Sequence, residues 1–327
     1  MEYVRLGNTG LEVSKICLGC MGFGDVEKGW IHKWVLNEEE SEKIIKHALD
    51  IGINFFDTAN QYSFGTSEEY LGKALKKHAN RDEIVIATKF NGGPMHEGPN
   101  GKGLSRKTIF QEIEHSLTRL QTDYIDILYV HRWDNDTPIE ETMEALHDLV
   151  KMGKVRYIAA STMYAWQFAK AQYYAKSRGW TQFIAMQNHY NLIYREEERE
   201  MIPMCKDMGV ALVPYSPLAA GRLARNWESD SLRAQTDSFA KGKYEINADT
   251  DKEIVKRVGE VAKKYGCTQA QIALAWLFAK GVASPVVGPT KTEYLDDYVR
   301  ALSIKLDKDD IDLLEEMYTP HKVYGPR

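Results

Sequence analysis

Short apolar runs alternate with longer segments of helical periodicity along the whole chain. A turn at residues 7–10 (Gly-Asn-Thr-Gly) precedes the first run and predicts a small β-hairpin. The apolar runs predict strands at 16–19, 53–59, 83–89, 124–131, 155–161, 183–187, 210–216 and 284–288. Apolar residues spaced three or four positions apart predict helices at 38–50, 67–77, 105–120, 138–151, 166–178, 195–208, 249–265, 268–280, 292–302 and 307–318.

This order of elements predicts an α/β fold with one sheet of parallel strands. Strands that are each followed by a helix pair in parallel through right-handed crossovers. A doubly wound sheet would carry a GxGxxG turn after its first strand, but residues 19–24 read GCMGFG, which does not fit. No linker rich in proline, glycine or serine divides the chain. We therefore predict a single (β/α)8 TIM barrel domain over 1–327, with an N-terminal β-hairpin and extra C-terminal helices.

Composition narrows the classes of function. Charged residues make up 27% of the chain, the net charge is −5 and no long basic run occurs, which argues against nucleic acid as a partner. No apolar stretch of about 18 residues occurs, so no membrane span is predicted. The four cysteines are sparse and the N-terminus does not resemble a signal peptide, which favours a cytoplasmic protein. The CxxC spacing of Cys17 and Cys20 lacks a second pair, so we assign both to packing and predict no metal site.

Reactive side chains end several of the predicted strands. Asp57, Lys89 and His131 end the second, third and fourth, and Tyr62 follows in the loop after Asp57. In a barrel the carboxyl ends of the strands share one rim, so these groups should meet. A phenol has a pKa of about 10, and a neighbouring ammonium is expected to lower it. An imidazole nearby could hydrogen-bond a substrate carbonyl.

The contexts FFDTANQY, IATKF and YVHRWD resemble the catalytic tetrad of the aldo-keto reductase superfamily. The segments RLGNTGLEVSKICLGCMGFG, VPYSPLAAGRL and PVVGPTKTEYLDD extend the resemblance over essentially the whole chain, and HRWD, QNHYNLIYREEERE and YTPHKVYG resemble the aryl-alcohol-dehydrogenase-like branch. The resemblance implies hydride transfer from NADPH to an aldehyde or ketone, reversible as alcohol oxidation. It implies Tyr62 as the general acid and base, tuned by Lys89 and Asp57, with His131 orienting the carbonyl.

The resemblance also implies a set of cofactor contacts. Ser161 and Gln187 would hold the nicotinamide carboxamide, and Tyr215 would stack on the nicotinamide ring. Thr162 stands where the superfamily often has Asn. The loop around the pyrophosphate and the phosphate-binding end would include Ser216, Leu218, Gly221, Arg233, Gly288, Thr290, Lys291 and Asp297.

Two positions depart from the family pattern. Tyr294 replaces the usual Arg or Gln, and Tyr298 replaces the usual Asn. These changes allow NAD(H) as a second cofactor, although the cations Lys291 and Arg233 could suffice for the 2′-phosphate of NADP(H).

The same residues are compatible with different roles at the level of sequence. Each polar residue at a strand end could be an ordinary turn former. The chain could also be a cofactor-binding regulatory subunit with little turnover, or a barrel enzyme that uses Lys89 in a Schiff base.

Trp30, His32, Trp34 and Trp133 follow the first and fourth strands. They could line an apolar pocket for a small-molecule carbonyl or alcohol, or could pack within their loops.

Overall fold

A ring of eight parallel strands, preceded by an antiparallel hairpin, forms the centre of the computed structural model, which describes residues 1–28, 32–227 and 235–326. The hairpin pairs β1 (Tyr3–Arg5) with β2 (Glu12–Ser14), as the turn at 7–10 predicts. Strands β3 to β8 each pair with the next in the chain, and β10 returns to pair with β3. The ring consists of β3 (Cys17–Gly19), β4 (Phe55–Asp57), β5 (Val85–Phe90), β6 (Ile125–Val130), β7 (Val155–Ser161), β8 (Phe183–Gln187), β9 (Ala211–Leu212) and β10 (Val286–Val287).

Two backbone hydrogen bonds connect the last two ring strands. The Ala283 amide donates to the Leu212 carbonyl at 3.0 Å, and the Val286 amide donates to the Pro214 carbonyl at 2.9 Å. Both strands are shorter than predicted, because Pro214 and Pro285 have no amide hydrogen for a sheet ladder. The ring of parallel strands with surrounding helices confirms the predicted (β/α)8 fold.

The helices follow the predicted pattern closely. They include α1 (Glu38–Asp50), α2 (Thr66–His78), α3 (Arg106–Leu120), α4 (Ile139–Lys151), α5 (Ala165–Arg178), α6 (Met201–Asp207), α7 (Ser238–Tyr244), α8 (Ala248–Tyr265), α9 (Gln269–Ala279), α10 (Thr292–Arg300) and α11 (Lys308–Glu315). Ser105 caps α3 by accepting a hydrogen bond from the Thr108 amide. Among residues 1–28, 32–227 and 235–326, no helix has the length and apolar character needed to cross a membrane.

Two helical predictions were wrong in detail. The helix predicted at 195–208 is a 3-10 turn at Glu196–Glu198 followed by α6. Pro203 has no amide hydrogen to donate, and it is tolerated as the third residue of α6, where that group would have no partner within the helix. Helix α7 occupies a segment predicted to be a loop, and Asp237 caps it by accepting from the Ala240 amide.

Two apolar clusters hold the ring in place. The larger one lies between the strands and the helices, and it includes Ile86, Leu128 and Ile158. The smaller one contains the alternate residues of the same strands together with Leu6 and Val13 of the hairpin segment. It therefore fills the interior of the ring, with the hairpin at the amino-terminal end of the strands. Cys17 belongs to this interior cluster and Cys20 to the outer one, and both are buried free thiols, which confirms packing as their role.

Candidate active site

The interior-facing series of each strand continues into a polar or aromatic residue at the carboxyl end. Side chains alternate between the two faces of a strand, so a residue two positions beyond an interior residue also points toward the axis of the ring. Phe55, Ala87, Tyr129, Ala159, Ala185 and Val213 all belong to the interior cluster. The residues two positions further are Asp57, Lys89, His131, Ser161, Gln187 and Tyr215.

Lys89 connects Asp57 to Tyr62. Its ammonium donates to Asp57 Oδ2 at 2.6 Å, to the Thr58 carbonyl at 2.8 Å and to the Tyr62 hydroxyl at 3.4 Å. The lysine side chain is 0% exposed and that of Asp57 is 2% exposed. A buried ammonium needs such partners, because transfer of an unpaired charge from water into the interior is very costly. The geometry brings together these three residues as the sequence predicts.

The second oxygen of Asp57 is held from the opposite side. Gln187 Nε2 donates to Asp57 Oδ1 at 2.9 Å, and Ser161 Oγ donates to the Gln187 backbone carbonyl at 2.8 Å. All three residues are buried. The Asp57–Lys89 pair is therefore linked to the ends of β7 and β8, where the sequence predicts the nicotinamide contacts.

The pKa values follow from burial and from the Lys89 charge. Burial raises the pKa of Tyr62 above its ordinary value, and the Lys89 ammonium opposes this rise without cancelling it. Lys89 acts on the Tyr62 pKa in the predicted direction, but the net shift is upward, because the cost of desolvating a phenolate is larger than the attraction to Lys89. Burial alone would lower the pKa of Lys89, but Asp57 and Tyr62 raise it above its ordinary value. At neutral pH the site thus holds a protonated phenol beside a protonated amine.

His131 is neutral and packs edge-on against Tyr62. The two ring centroids lie 5.9 Å apart with an angle of 88° between the planes. Burial, together with the charges of Arg132 and Lys89, holds the pKa of His131 well below its ordinary value. Its Nδ1 atom is buried, and within the described ranges it has no hydrogen-bond partner. A neutral imidazole can donate one hydrogen bond to a carbonyl oxygen without placing a second cation next to Lys89.

Gly92 lies against His131, and an alanine there is expected to displace the imidazole. An added Cβ would lie 2.5 Å from His131 Nδ1 and 2.1 Å from Gln61 Oε1. The glutamine can rotate away, but the buried ring cannot do so without moving from its position beside Tyr62. A displacement of about 1 Å in a catalytic group can cost up to about 100-fold. We expect Gly92→Ala to lower kcat roughly 10- to 100-fold, measured by steady-state turnover.

Gly93→Ala is the matched control for this prediction. The three atoms nearest to a Cβ at Gly93 would all belong to the Gln61 side chain, with Nε2 at 2.5 Å, so a shift of the glutamine relieves the closest contacts. We expect Gly93→Ala to retain activity within a few-fold of wild type. Equal losses in the two variants would show that the loop conformation, and not contact with His131, is what alanine disturbs.

Left-handed backbone conformations concentrate at the carboxyl ends of the strands. Non-glycine residues with positive φ follow β4, β5, β7 and β9. Such conformations cost about 1–3 kcal/mol each and cluster at functional sites. After β9 the chain combines Ser216, Ala219 and Ala220 with Gly221, all with positive φ. Backbones of this kind recur at anion-binding sites, and here the Ala219 and Gly221 amides donate within the loop, to the Ser216 and Leu218 carbonyls.

The remaining predicted cofactor residues lie on two segments. Leu218 is buried within the loop after β9. Gly288, Thr290 and Lys291 are exposed between β10 and the first turn of α10, where a helix terminus favours anions. Arg233 lies outside the described residues.

Asp297 makes contacts within the fold that the sequence did not predict. Its carboxylate accepts hydrogen bonds from Thr268 Oγ1 at 2.7 Å and from Gln271 Nε2 at 2.6 Å. It therefore connects α10 to the capped start of α9.

Of the two positions that depart from the family pattern, Tyr298 is buried and Tyr294 is 40% exposed.

The predicted pocket residues fall into two separate groups. The His32 and Trp34 rings lie 5.0 Å apart, and His32 is 6.1 Å from the Phe239 ring of α7. Trp133 instead contacts Trp166 with ring centroids 6.0 Å apart, beside a cavity of about 390 Å³ whose lining does not include the catalytic tetrad. Trp30 lies outside the described residues.

An aromatic stack behind Tyr215 was missed by the sequence predictions. His189 stacks on Tyr194 with centroids 4.0 Å apart and on Tyr215 with centroids 5.2 Å apart. Its Nε2 atom is 2.7 Å from the Tyr244 hydroxyl of α7. The segment QNHYN directly after β8 is the sequence signal, because it places several aromatic and amide side chains at the carboxyl end of a strand. The stack fixes the plane of Tyr215 from behind.

Comparison with known proteins gives a consistent result. The model of the Aldo/keto reductase family matches residues 15–319. A versiconal hemiacetal acetate reductase of Aspergillus parasiticus is 47% identical, and the match covers 99% of each chain. A Schizosaccharomyces pombe protein that bears an aryl-alcohol dehydrogenase name is 46% identical over 99% of this chain and 97% of its own length. A Saccharomyces cerevisiae protein with the same kind of name is 40% identical over 98% of each chain.

Proposed function

The chain belongs to the aldo/keto reductase family and is an oxidoreductase, and on this premise we propose that it reduces an aldehyde or ketone with NADPH, reversibly, with Tyr62 as general acid and base. The observation that carries the proposal is the buried Tyr62–Lys89–Asp57 chain of hydrogen bonds at the carboxyl rim of the ring. A buried charged pair that touches a phenol is arranged to control a proton.

Tyr62 would donate its proton to the oxygen of the carbonyl as negative charge develops there. Its raised pKa keeps the proton in place at neutral pH, and Lys89 at 3.4 Å would stabilise the phenolate that remains. Neutral His131, edge-on to Tyr62, would donate a hydrogen bond to the same carbonyl oxygen. In the reverse direction Tyr62 would accept the proton of the alcohol.

The residues around the tetrad fit a nicotinamide dinucleotide. Ser161 and Gln187 would hold the carboxamide, Tyr215 would stack on the ring, and the left-handed loop Ser216–Gly221 would contact the pyrophosphate. The bound nicotinamide supplies the hydride, and the protein orients it. The orphaned hydroxyl of Tyr215, buried without a partner among the described residues, supports a site that a ligand completes.

NADP(H) is the favoured cofactor. Lys291 is exposed at the amino terminus of α10, a position that suits a 2′-phosphate. Arg233 would supply a second cation. Tyr294 and Tyr298 in place of the family's usual residues leave NAD(H) as a slower alternative.

The substrate is proposed to be an aromatic aldehyde or ketone. His32 and Trp34 would provide apolar walls, and relatives are named for aryl-alcohol oxidation and for reduction of a hemiacetal acetate. Schiff-base chemistry on Lys89 is disfavoured, because a raised pKa keeps the amine protonated and a protonated amine cannot attack a carbonyl.

Consumption of NADPH and NADH with an aromatic aldehyde tests the proposal. We expect turnover with NADPH and a kcat/KM for NADH that is at least about 10-fold lower, since each lost charge-assisted contact is worth roughly 1.5–3 kcal/mol. Comparable use of the two cofactors would show that Tyr294 and Tyr298 have removed the selectivity. Absence of turnover with both, over a panel of aldehydes and ketones, would reject the reductase and leave the cofactor-binding regulatory subunit.

A further inference from the structure

Lys243, in the last turn of α7, places its ammonium group between two tyrosine rings. The Nζ atom is 4.9 Å from the centroid of Tyr215 and 5.3 Å from the centroid of Tyr324 near the C-terminus. Lys243 is half-buried, and among residues 1–28, 32–227 and 235–326 it forms no ion pair with a carboxylate. Its positive charge is therefore not cancelled locally, in contrast to that of Lys89, which pairs with Asp57 at 2.6 Å.

The helix end that carries Lys243 and the segment that carries Tyr324 are both anchored to the rest of the fold. Tyr244, the next residue along α7, is buried, and its hydroxyl contacts His189 Nε2 at 2.7 Å. On the other side, the Tyr324 amide donates to the Tyr194 hydroxyl at 2.9 Å. The two anchors end on the same stack, in which His189 lies between Tyr194 and Tyr215.

The charge of Lys243 also acts on the ring that stacks against Tyr215. The pKa of His189, the ring stacked behind Tyr215, lies well below its ordinary value; burial is the main cause, and Lys243 is the largest of the charges that contribute. Lys243 therefore disfavours a positive charge on an aromatic ring that lies against Tyr215.

We propose that Lys243 makes the site select the reduced form of the nicotinamide cofactor over the oxidised form. The inference rests on the proposed function, in which Tyr215 stacks on the nicotinamide. That ring is neutral when reduced and carries one positive charge when oxidised. An uncompensated ammonium beside Tyr215 therefore repels only the oxidised form, while the phosphates and the adenosine bind equally in both.

The expected size follows from the distance and the exposure. Repulsion between two like charges on opposite sides of one aromatic contact, in a half-buried site with an effective dielectric constant of about 20–40 and partial screening by salt, would change a binding constant by about 5- to 20-fold. The ratio of the dissociation constants for NADP⁺ and NADPH is therefore expected to fall by that factor when the Lys243 charge is removed. For a two-electron couple, a 10-fold change corresponds to a shift of about 30 mV in the reduction potential of the bound cofactor.

Equilibrium binding titrations test the inference without any substrate. The full chain is titrated with NADPH and, separately, with NADP⁺, and binding is monitored by protein fluorescence. Lys243→Met removes the charge and keeps the length of the side chain, and Lys243→Gln serves if the first variant does not fold. Lys243→Arg keeps the charge. Lys241→Met removes a charge from the same helix, where that lysine instead donates to the Gln235 carbonyl. We expect Lys243→Met and Lys243→Gln to bind NADP⁺ about 5- to 20-fold more tightly than wild type, with binding of NADPH within about twofold of wild type. Lys243→Arg and Lys241→Met should bind both forms as wild type does.

Each alternative gives a distinct result. Equal weakening of both forms in Lys243→Met would overturn the inference, because it would mean that Lys243 contacts a phosphate. Unchanged constants would also overturn it, while leaving the proposed function intact. If wild type bound neither form, both the inference and the proposed function would fail.

Discussion

Tyr62→Phe is expected to lower kcat for carbonyl reduction by at least about 100-fold while the dissociation constant for NADPH stays within about twofold. The substitution removes only the hydroxyl, which is the group 3.4 Å from Lys89, and keeps the ring that packs edge-on against His131. General acid catalysis contributes roughly 10²–10⁴-fold, and the orienting contacts of the site remain. Single-turnover measurement of NADPH oxidation separates this chemical step from product release.

The rate of carbonyl reduction and the rate of alcohol oxidation should depend differently on pH. Burial raises the pKa of Tyr62, and its acid form is the active one in reduction, so Tyr62 should not limit the wild-type rate between about pH 6 and 9. Alcohol oxidation needs the phenolate and should accelerate with pH over that interval. A suitable control is Tyr70→Phe, since Tyr70 lies in α2 and its charged neighbours, Asp25 and Glu38 among them, do not belong to the tetrad. Retention of more than about a third of the activity in Tyr62→Phe would assign the proton transfer to another group, with His131 the nearest.

The sequence predicts the site because three of the four tetrad residues, Asp57, Lys89 and His131, lie at the end of a strand or directly after one. The alternation of side chains that buries Phe55, Ala87 and Tyr129 also aims Asp57, Lys89 and His131 at the same axis. This argument needs only the strand register, and the register is fixed by which residues are apolar. The predicted convergence of these residues therefore follows from local pattern alone.

Features that depend on neighbours distant in sequence were not predicted. The direction of the Tyr62 pKa shift depends on the balance between desolvation and the Lys89 charge, and burial cannot be read from residue order. The contact of Asp297 with α9 depends on how two helices pack. The approach of Lys243 to Tyr215 depends on α7, whose seven residues show too little apolar periodicity to predict a helix.

Lys89→Met is expected to reduce both stability and catalysis. The variant leaves the Asp57 carboxylate buried with Gln187 Nε2 as a remaining donor, and the Thr58 carbonyl loses its hydrogen bond. Removal of one member of a buried ion pair costs about 3–5 kcal/mol, which a shift of the urea midpoint would report. Catalysis is expected to fall by at least about 100-fold, because the Tyr62 phenolate formed during reduction would have no cation beside it.

Combining Lys89→Met with Asp57→Asn separates the two effects. The double variant has no unpaired buried charge, so we expect it to recover at least about half of the lost stability, since a pair of neutral groups carries a far smaller desolvation cost. Its catalysis should stay low, because Tyr62 still lacks Lys89.

The pKa of Lys89 is raised in the folded protein, so its contribution to stability is complete below about pH 10 and is lost only as the pH rises through the folded value. The difference between wild type and Lys89→Met should therefore be constant from about pH 6 to 9. A difference that vanished toward the upper end of that range would mean that Lys89 is a neutral amine near physiological pH, and Schiff-base chemistry would then become the better account of the site.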